Sequence, residues 1–243
     1  FLRLFLAGNP QDYLFRIPDF FNRHTKLDLV ALSKVKTFAE FLEIIHMPGL
    51  VQTLRALAPQ DGETIDYTMI EAAMDSFLYS RLDVLINKNF TGSTREELRR
   101  VYGIKAELDN VKMIYRAKKY YGASTDAIRA KLLPCEHGLI NKRRQNALIM
   151  SATPEEFLRV LGTTPYGKVF AQLEEDGNGI DLLANRFLYK QVRSLMRFSN
   201  NPAVVMACCV TLFEFEIDDV TNILEGIRYR LPPDEIAKLL VRS

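Results

Sequence analysis

Residues 107–121 read ELDNVKMIYRAKKYY, and residues 216–230 read EIDDVTNILEGIRYR. The second stretch begins 109 positions after the first and keeps five of its fifteen residues: Glu107/Glu216, Asp109/Asp218, Val111/Val220, Ile114/Ile223 and Tyr120/Tyr229. Leu108/Ile217 and Tyr115/Leu224 keep apolar character. One window of this quality can arise by chance, so the flanks decide.

The flanks repeat as well, and a long period settles the architecture before any single element does. GASTDAIRAKLLP (122–134) is answered by LPPDEIAKLL (231–240), with Asp126/Asp234 and Ile128/Ile236 matching after a one-residue slip. The chain also opens on this ending: in LAGNPQDYLFRIP (6–18), Gly8, Asp12, Leu14 and Pro18 answer Gly122, Asp126, Ile128 and Pro134. Between the endings, TFAEFL (37–42) pairs with TPEEFL (153–158), RAL (55–57) with AQL (171–173), and SFLYSRL (76–82) with RFLYKQV (186–192). The matches cut the chain after Pro18 and Pro134. Residues 1–18 form the tail of a first helical unit, 19–134 a second unit of 116 residues and 135–243 a third of 109. Phe77 and Phe187 are expected at equivalent core places. The chain begins at Phe1 without a methionine, and most of the first unit is expected to be missing ahead of it.

The periodicity is helical throughout. Leu108, Val111, Ile114, Tyr115 and Tyr121 share one face of a helix, and Asp109, Lys112, Arg116 and Lys119 the other. Ile217, Val220, Ile223 and Leu224 repeat the leading places, and a stripe of this width predicts packing against other helices. Thr37 with Glu40, Thr153 with Glu156 and Ser93 with Glu96 read as capping boxes. Pro154 sits at a first helical position, where its missing N–H costs nothing. Ser124-Thr125-Asp126 and Pro232-Pro233-Asp234 open the last short helix of each unit. No alternating strand run or hairpin signal stands out. The expectation is an all-α chain with five to seven helices per unit.

The composition excludes several classes. A net charge of +2 gives no electrostatic case for nucleic acid, and Lys142-Arg143-Arg144 reads as a solvated helix face. AVVMACCVTLF (203–213) is too short to span a membrane and reads as a buried helix. Three cysteines make no disulfide framework and point to a reducing compartment. Adjacent Cys208 and Cys209 read as small core residues. No Gly-rich phosphate-binding motif is present. The three histidines are His24, His46 and His137; Cys135-Glu136-His137 has no second ligand pair beside it, and structural zinc needs four ligands. EEDGNGIDLLAN (174–185) imitates a calcium loop, with Glu174, Asp176 and Asn178 at its first, third and fifth places. Its eighth place is Asp181, where an apolar residue belongs, and its twelfth is Asn185, which lacks the bidentate carboxylate. PQDGETID (59–66) stands at the same place in the preceding unit as an ordinary turn. Glu107/Asp109 and Glu216/Asp218 are two residues apart, about 200° around a helix, and do not face each other. A helix start, which favours negative charge, is expected to explain them. No catalytic, cofactor-binding or metal-binding residue is assigned.

Taken together, Glu107, Asp109, Asn110, Val111, Ile114, Tyr115, Arg116 and Lys118, followed by LLP at 132–134, resemble the C subunit of prokaryotic A-type/V-type rotary ATPases, whose eukaryotic vacuolar counterpart is the d subunit. NILEGIRYRLPPDEIAKLL (222–240) is similar to the C-terminal end of those chains, and so is the ID…FLY pattern at Ile65-Asp66…Phe77-Leu78-Tyr79 and Ile180-Asp181…Phe187-Leu188-Tyr189. The second copy departs from the first at Asp219 for Asn110, Glu225 for Arg116 and Asn185 for Asp75, which argues against one shared contact at those places. The resemblance implies three helical units around a pseudo-threefold axis, forming a funnel. It implies a non-catalytic rotor subunit on the cytoplasmic face of the membrane, between the central-stalk subunits of the ATPase head and the membrane ring of ion-carrying subunits. It leaves open proton or sodium as the ion, and synthase or pump as the direction. The alternative is a generic helical-repeat scaffold that binds proteins.

Overall fold

The computed structural model describes residues 1–17, 20, 24–25, 27–60, 64–173 and 179–242. Every regular element among them is a helix, so the chain is all-α. By compactness it divides into Phe1–Leu78 and Tyr79–Ser243. This division follows packing and falls inside one helix, whereas the cuts at Pro18 and Pro134 follow similarity.

The first compact unit holds α1 (Leu2–Leu6), α2 (Asp12–Arg16), α3 (Leu29–Leu32), α4 (Phe38–Ile44), α5 (Pro48–Arg55) and the opening of α6 (Tyr67–Asn89). Its core gathers Leu32, Val35, Phe41, Leu54 and Ile70, with Phe1, Tyr13 and Phe77 packed against them. The second holds the rest of α6, α7 (Gly92–Tyr121), α8 (Thr125–Arg129), α9 (Lys142–Met150), α10 (Pro154–Gly162), α11 (Gly167–Phe170), α12 (Ile180–Phe198), α13 (Pro202–Arg228) and α14 (Pro233–Lys238). Its core is built on α7, which contacts α10, α12 and α13. Ile104, Leu108, Val111 and Tyr115 of α7 are all buried.

Local chemistry sets the helix starts. The Thr37 and Thr153 hydroxyls accept from Glu40 N and Glu156 N, each at 3.2 Å. Each carboxylate reaches past the cap to the residue before it: Lys36 N donates to Glu40 Oε2 at 2.8 Å, and Ala152 N to Glu156 Oε2 at 2.7 Å. Ser93 does not cap. Gly92, at φ +56°, turns the chain directly from α6 into α7 and leaves Ser93 inside the first turn. A second correction concerns length. α7 runs for 30 residues and α13 for 27, so Glu107, Asp109, Glu216 and Asp218 lie in mid-helix, where the terminal dipole has no hold on them.

Contacts recur at matching places. Phe1 stacks on Phe41 with ring centroids 5.4 Å apart, and Tyr115 meets Phe157 at 5.9 Å. In each pair the second ring belongs to a helix of T-x-x-E-F-L sequence, α4 or α10. Phe77 and Phe187 are both partly buried rather than central. A Cβ on Gly49 of α5 would stand 3.1 Å from Phe77 Cε2, and Phe187 meets Tyr166, just before α11, edge-on at 4.9 Å. The three endings also turn alike, through left-handed Gly8 (φ +77°), Gly122 (φ +54°) and Arg230 (φ +57°). After Gly122, Ala123 N donates back to Ala117 O at 3.0 Å, closing the helix end.

Two faces differ from expectation. Tyr121 is 80% exposed because α7 ends there, at the turn. Of AVVMACCVTLF, Val204, Ala207, Cys208 and Thr211 are buried, whereas Met206, Val210 and Phe213 are exposed. Ile217, Val220 and Leu224 are exposed too, since no described element lies over that side of α13.

Arg230 holds a backbone conformation that costs a side-chain-bearing residue about 1–2 kcal/mol. Arg230→Gly is expected to stabilise the protein by roughly 1 kcal/mol, after the entropy that glycine adds to the unfolded chain. Chemical denaturation would show this as a raised midpoint with an unchanged slope.

Candidate functional site

The most concentrated polar site in the described residues is centred on Glu107, which is only 2% exposed. Four residues on from Gly103 and four before Val111, it lies on the buried stripe of α7. The segment 135–141 crosses α7 at this point. A Cβ on Gly103 would stand 2.6 Å from the carbonyl carbon of His137, and one on Gly138 would collide with the Glu107 carboxylate. Two glycines therefore let the backbone come close enough to donate to the acid.

Four donors surround the carboxylate. Oε2 accepts from Leu139 N at 2.6 Å and from the Tyr166 hydroxyl at 2.5 Å. Oε1 accepts from Ile140 N at 3.0 Å and from Gln145 Nε2 at 3.2 Å. These bonds fill the roughly four acceptor places of an ionised carboxylate. They are also charge-assisted, which makes them stronger than neutral ones. Burial, and then the adjoining Glu107 charge, raise the Tyr166 phenol far above its ordinary range, so it remains a donor. Burial, with Glu107 nearby, pushes the Cys135 thiol up to about 12. Burial pushes Cys208 to about 11. Neither thiol is a nucleophile at neutral pH. The site holds one piece of backbone against another, and its acceptor capacity is spent in doing so.

A second pair of contacts does the same for the endings. Asn110 brackets Leu133: Leu133 N donates to Oδ1 at 2.8 Å, and Nδ2 donates to Leu133 O at 2.9 Å. Asp219, 1% exposed, accepts Val241 N at 2.7 Å and Arg242 Nε at 3.1 Å. After the one-residue slip, Leu133 and Val241 are the same place. Asn110 and Asp219 therefore share a contact that their different chemistry argued against: both offer an oxygen to the same N–H, and Arg242 balances the added charge.

The other singled-out residues are scattered. Asp109 accepts from Tyr79 Oη at 3.2 Å and pairs with Lys112 at 2.6 Å. Glu216 and Asp218 are exposed, and Glu216 lies 3.4 Å from Arg242. Cys135 Sγ donates to Gly103 O, and His137 Nε2 stands 3.9 Å from Asp83. His24 and His46 are exposed elsewhere. Lys142, Arg143 and Arg144 are exposed on α9. Cys208 is fully buried but Cys209 only partly. Glu174, Asp176 and Asn178 lie outside the described residues; Asp181 beyond them pairs with Arg116. Among the described residues no three His, Cys, Asp or Glu side chains group to hold a metal.

The buried acid fastens residues 139–166 to the long helix α7. The profile of the family described as ATP synthase (C/AC39) subunit matches residues 1–239. The chain belongs to this family. It is the family whose C subunit the Glu107–Lys118 pattern resembles. No curated protein and no solved structure matches the chain. No helix among the described residues is long and apolar enough to cross a membrane. The sequence contained one signal for Glu107 that the search for paired acids passed over. Glu107 shares the i, i+3, i+4 stripe of Ile104, Leu108 and Val111, so it had to be buried with them. Tyr166 and Gln145 left no signal, because only the fold brings them to it.

Tyr166→Phe removes one bond to a buried charge and is expected to cost about 1.5–3 kcal/mol. Glu107→Ala leaves buried donors without acceptors and should cost more. The raised phenol also gives a pH signature. Its stabilisation is complete below the unfolded tyrosine value near 10 and is lost as pH rises beyond that. Stability measured from about pH 9 to 11 should fall more steeply in the wild type than in Tyr166→Phe.

Proposed function

We infer that the chain is a non-catalytic coupling subunit of an A-type/V-type rotary ATPase. It joins the central-stalk subunits of the soluble head to the membrane ring of ion-carrying subunits and turns with them. The reading is supported by the family match over residues 1–239. It is supported by what the best-formed polar site does: Glu107 is consumed in fastening one backbone segment to another. In this reading the protein is three helical units, of which residues 1–18 are the end of the first, 19–134 the second and 135–243 the third. It attaches to the cytoplasmic face of the membrane through its partners, without a span of its own. ATP chemistry and ion binding belong to other subunits. A joint that carries torque must not slip, so its contacts with stalk and ring should together bury more than about 2,000 Å².

Depletion and add-back on membrane vesicles, recording ATP turnover and ion gradient together, tests the reading. Without this protein the detached head should still hydrolyse ATP while the gradient fails to form, and add-back should restore it. A gradient of full strength in depleted vesicles would leave the generic protein-binding scaffold as the better description.

A further inference from the structure

Lys142-Arg143-Arg144 reads from the sequence as a solvated helix face, but the fold gives that face a second side. Arg143 and Arg144 of α9 and Arg159 of α10 line one open groove of about 410 Å³. Ala147 and Val160 form its apolar lining, and Asn141 and Thr163 complete it. Among the described residues no acidic side chain lines the groove. Nor do Arg143 and Arg144 have an acidic partner among the described residues. Arg159 has Glu156, 3.7 Å away, with both side chains open to water. An exposed pair of this kind contributes little.

The polar groups in the groove are mostly donors. Asn141 Oδ1 is taken by Arg144 N at 3.0 Å, which leaves Nδ2 to point at a ligand. The Thr163 hydroxyl spends its hydrogen on Val160 O at 2.7 Å. The three guanidinium groups cannot accept. A lining of this kind suits a ligand that only accepts, and the planar guanidinium forks match carboxylates in pairs of bonds.

Helix packing does not require these arginines. Counted back by the offset between TPEEFL and TFAEFL, Arg143, Arg144 and Arg159 fall on Leu27, Asp28 and Glu43. The same capped pattern forms α4 with an acid at the place where α10 carries Arg159.

We propose that this groove docks an acidic peptide segment of another protein chain, one with several Asp or Glu side chains close together. A membrane is the poorer occupant. Headgroups present a flat surface to three arginines set in a concave one, and no large apolar side chain lines the groove to enter the bilayer. Nucleic acid is poorer still, because no aromatic ring lines the groove for bases to stack on. Docking here does not depend on the coupling role.

Binding of a fluorescein-labelled hexaglutamate peptide to the whole chain, followed by anisotropy, tests the proposal. Two triple variants remove equal charge. Arg143→Gln/Arg144→Gln/Arg159→Gln strips the groove, whereas Lys34→Gln/Lys36→Gln/Arg55→Gln takes exposed charges from elsewhere. Hexaglutamate should bind saturably and hexaglutamine should not. The groove variant should weaken binding about tenfold or more and the other variant by no more than about twofold, since charge-assisted contacts act where they are made. Equal weakening in both variants would reduce the effect to net charge and overturn the proposal, as would the absence of saturable binding by the wild type. Groove-dependent binding of phosphatidylserine vesicles that hexaglutamate does not displace would give the face to a membrane, and overturn it too. So would displacement of the peptide by inorganic phosphate where chloride at the same ionic strength leaves it bound, which would make the groove a small-anion site.

Discussion

The Glu107 carboxylate fixes how the segment 139–166 seats on α7. A charge at 2% exposure survives only when its lone pairs are met, and here two backbone N–H groups, an amide and a phenol meet them. All four donors lie in the stretch 139–166. If that stretch shifted along α7 by one helical turn, every donor would leave. Apolar packing tolerates sliding, because a leucine face matches many partners, but a saturated carboxylate has one register. The two glycines at the crossing, Gly103 and Gly138, exist in the same geometry: side chains there would hold the segment away from the acid.

The long helix α7 is a spine used on several sides. α7 gives one face to the helices that follow it, and reaches α13 through Lys105 and Glu214, 2.6 Å apart. Near its start, Glu97 accepts from Ser199 and Asn201, fixing the turn between α12 and α13. Asn110 then fastens the ending that runs beside it. Side-chain bonds thus hold several of the places where chain direction changes, to side chains at the α12–α13 turn and to backbone at residues 133, 139 and 140. They set position at points where the hydrophobic core, which is not directional, would allow drift. The chain belongs to the ATP synthase (C/AC39) subunit family, and it spends its buried acid in structural bonds.

Much of this was present in the sequence. The helical class and the capping threonines follow from local spacing, and the resemblance of the Glu107–Lys118 pattern pointed to the family that the profile match shows. Local rules misplaced one helix start, since Ser93 satisfies a capping pattern inside a turn that Gly92 had already begun. They also gave the acids at 107 and 216 one explanation. Tertiary structure separates these two: Glu107 has residues 139–166 to bind, and Glu216, in the same sequence context, has no such segment among the described residues. The same difference buries Tyr115 and exposes Leu224. A helix face is written in the chain by its period, but whether it is covered depends on which distant segment arrives there, and no local spacing encodes that.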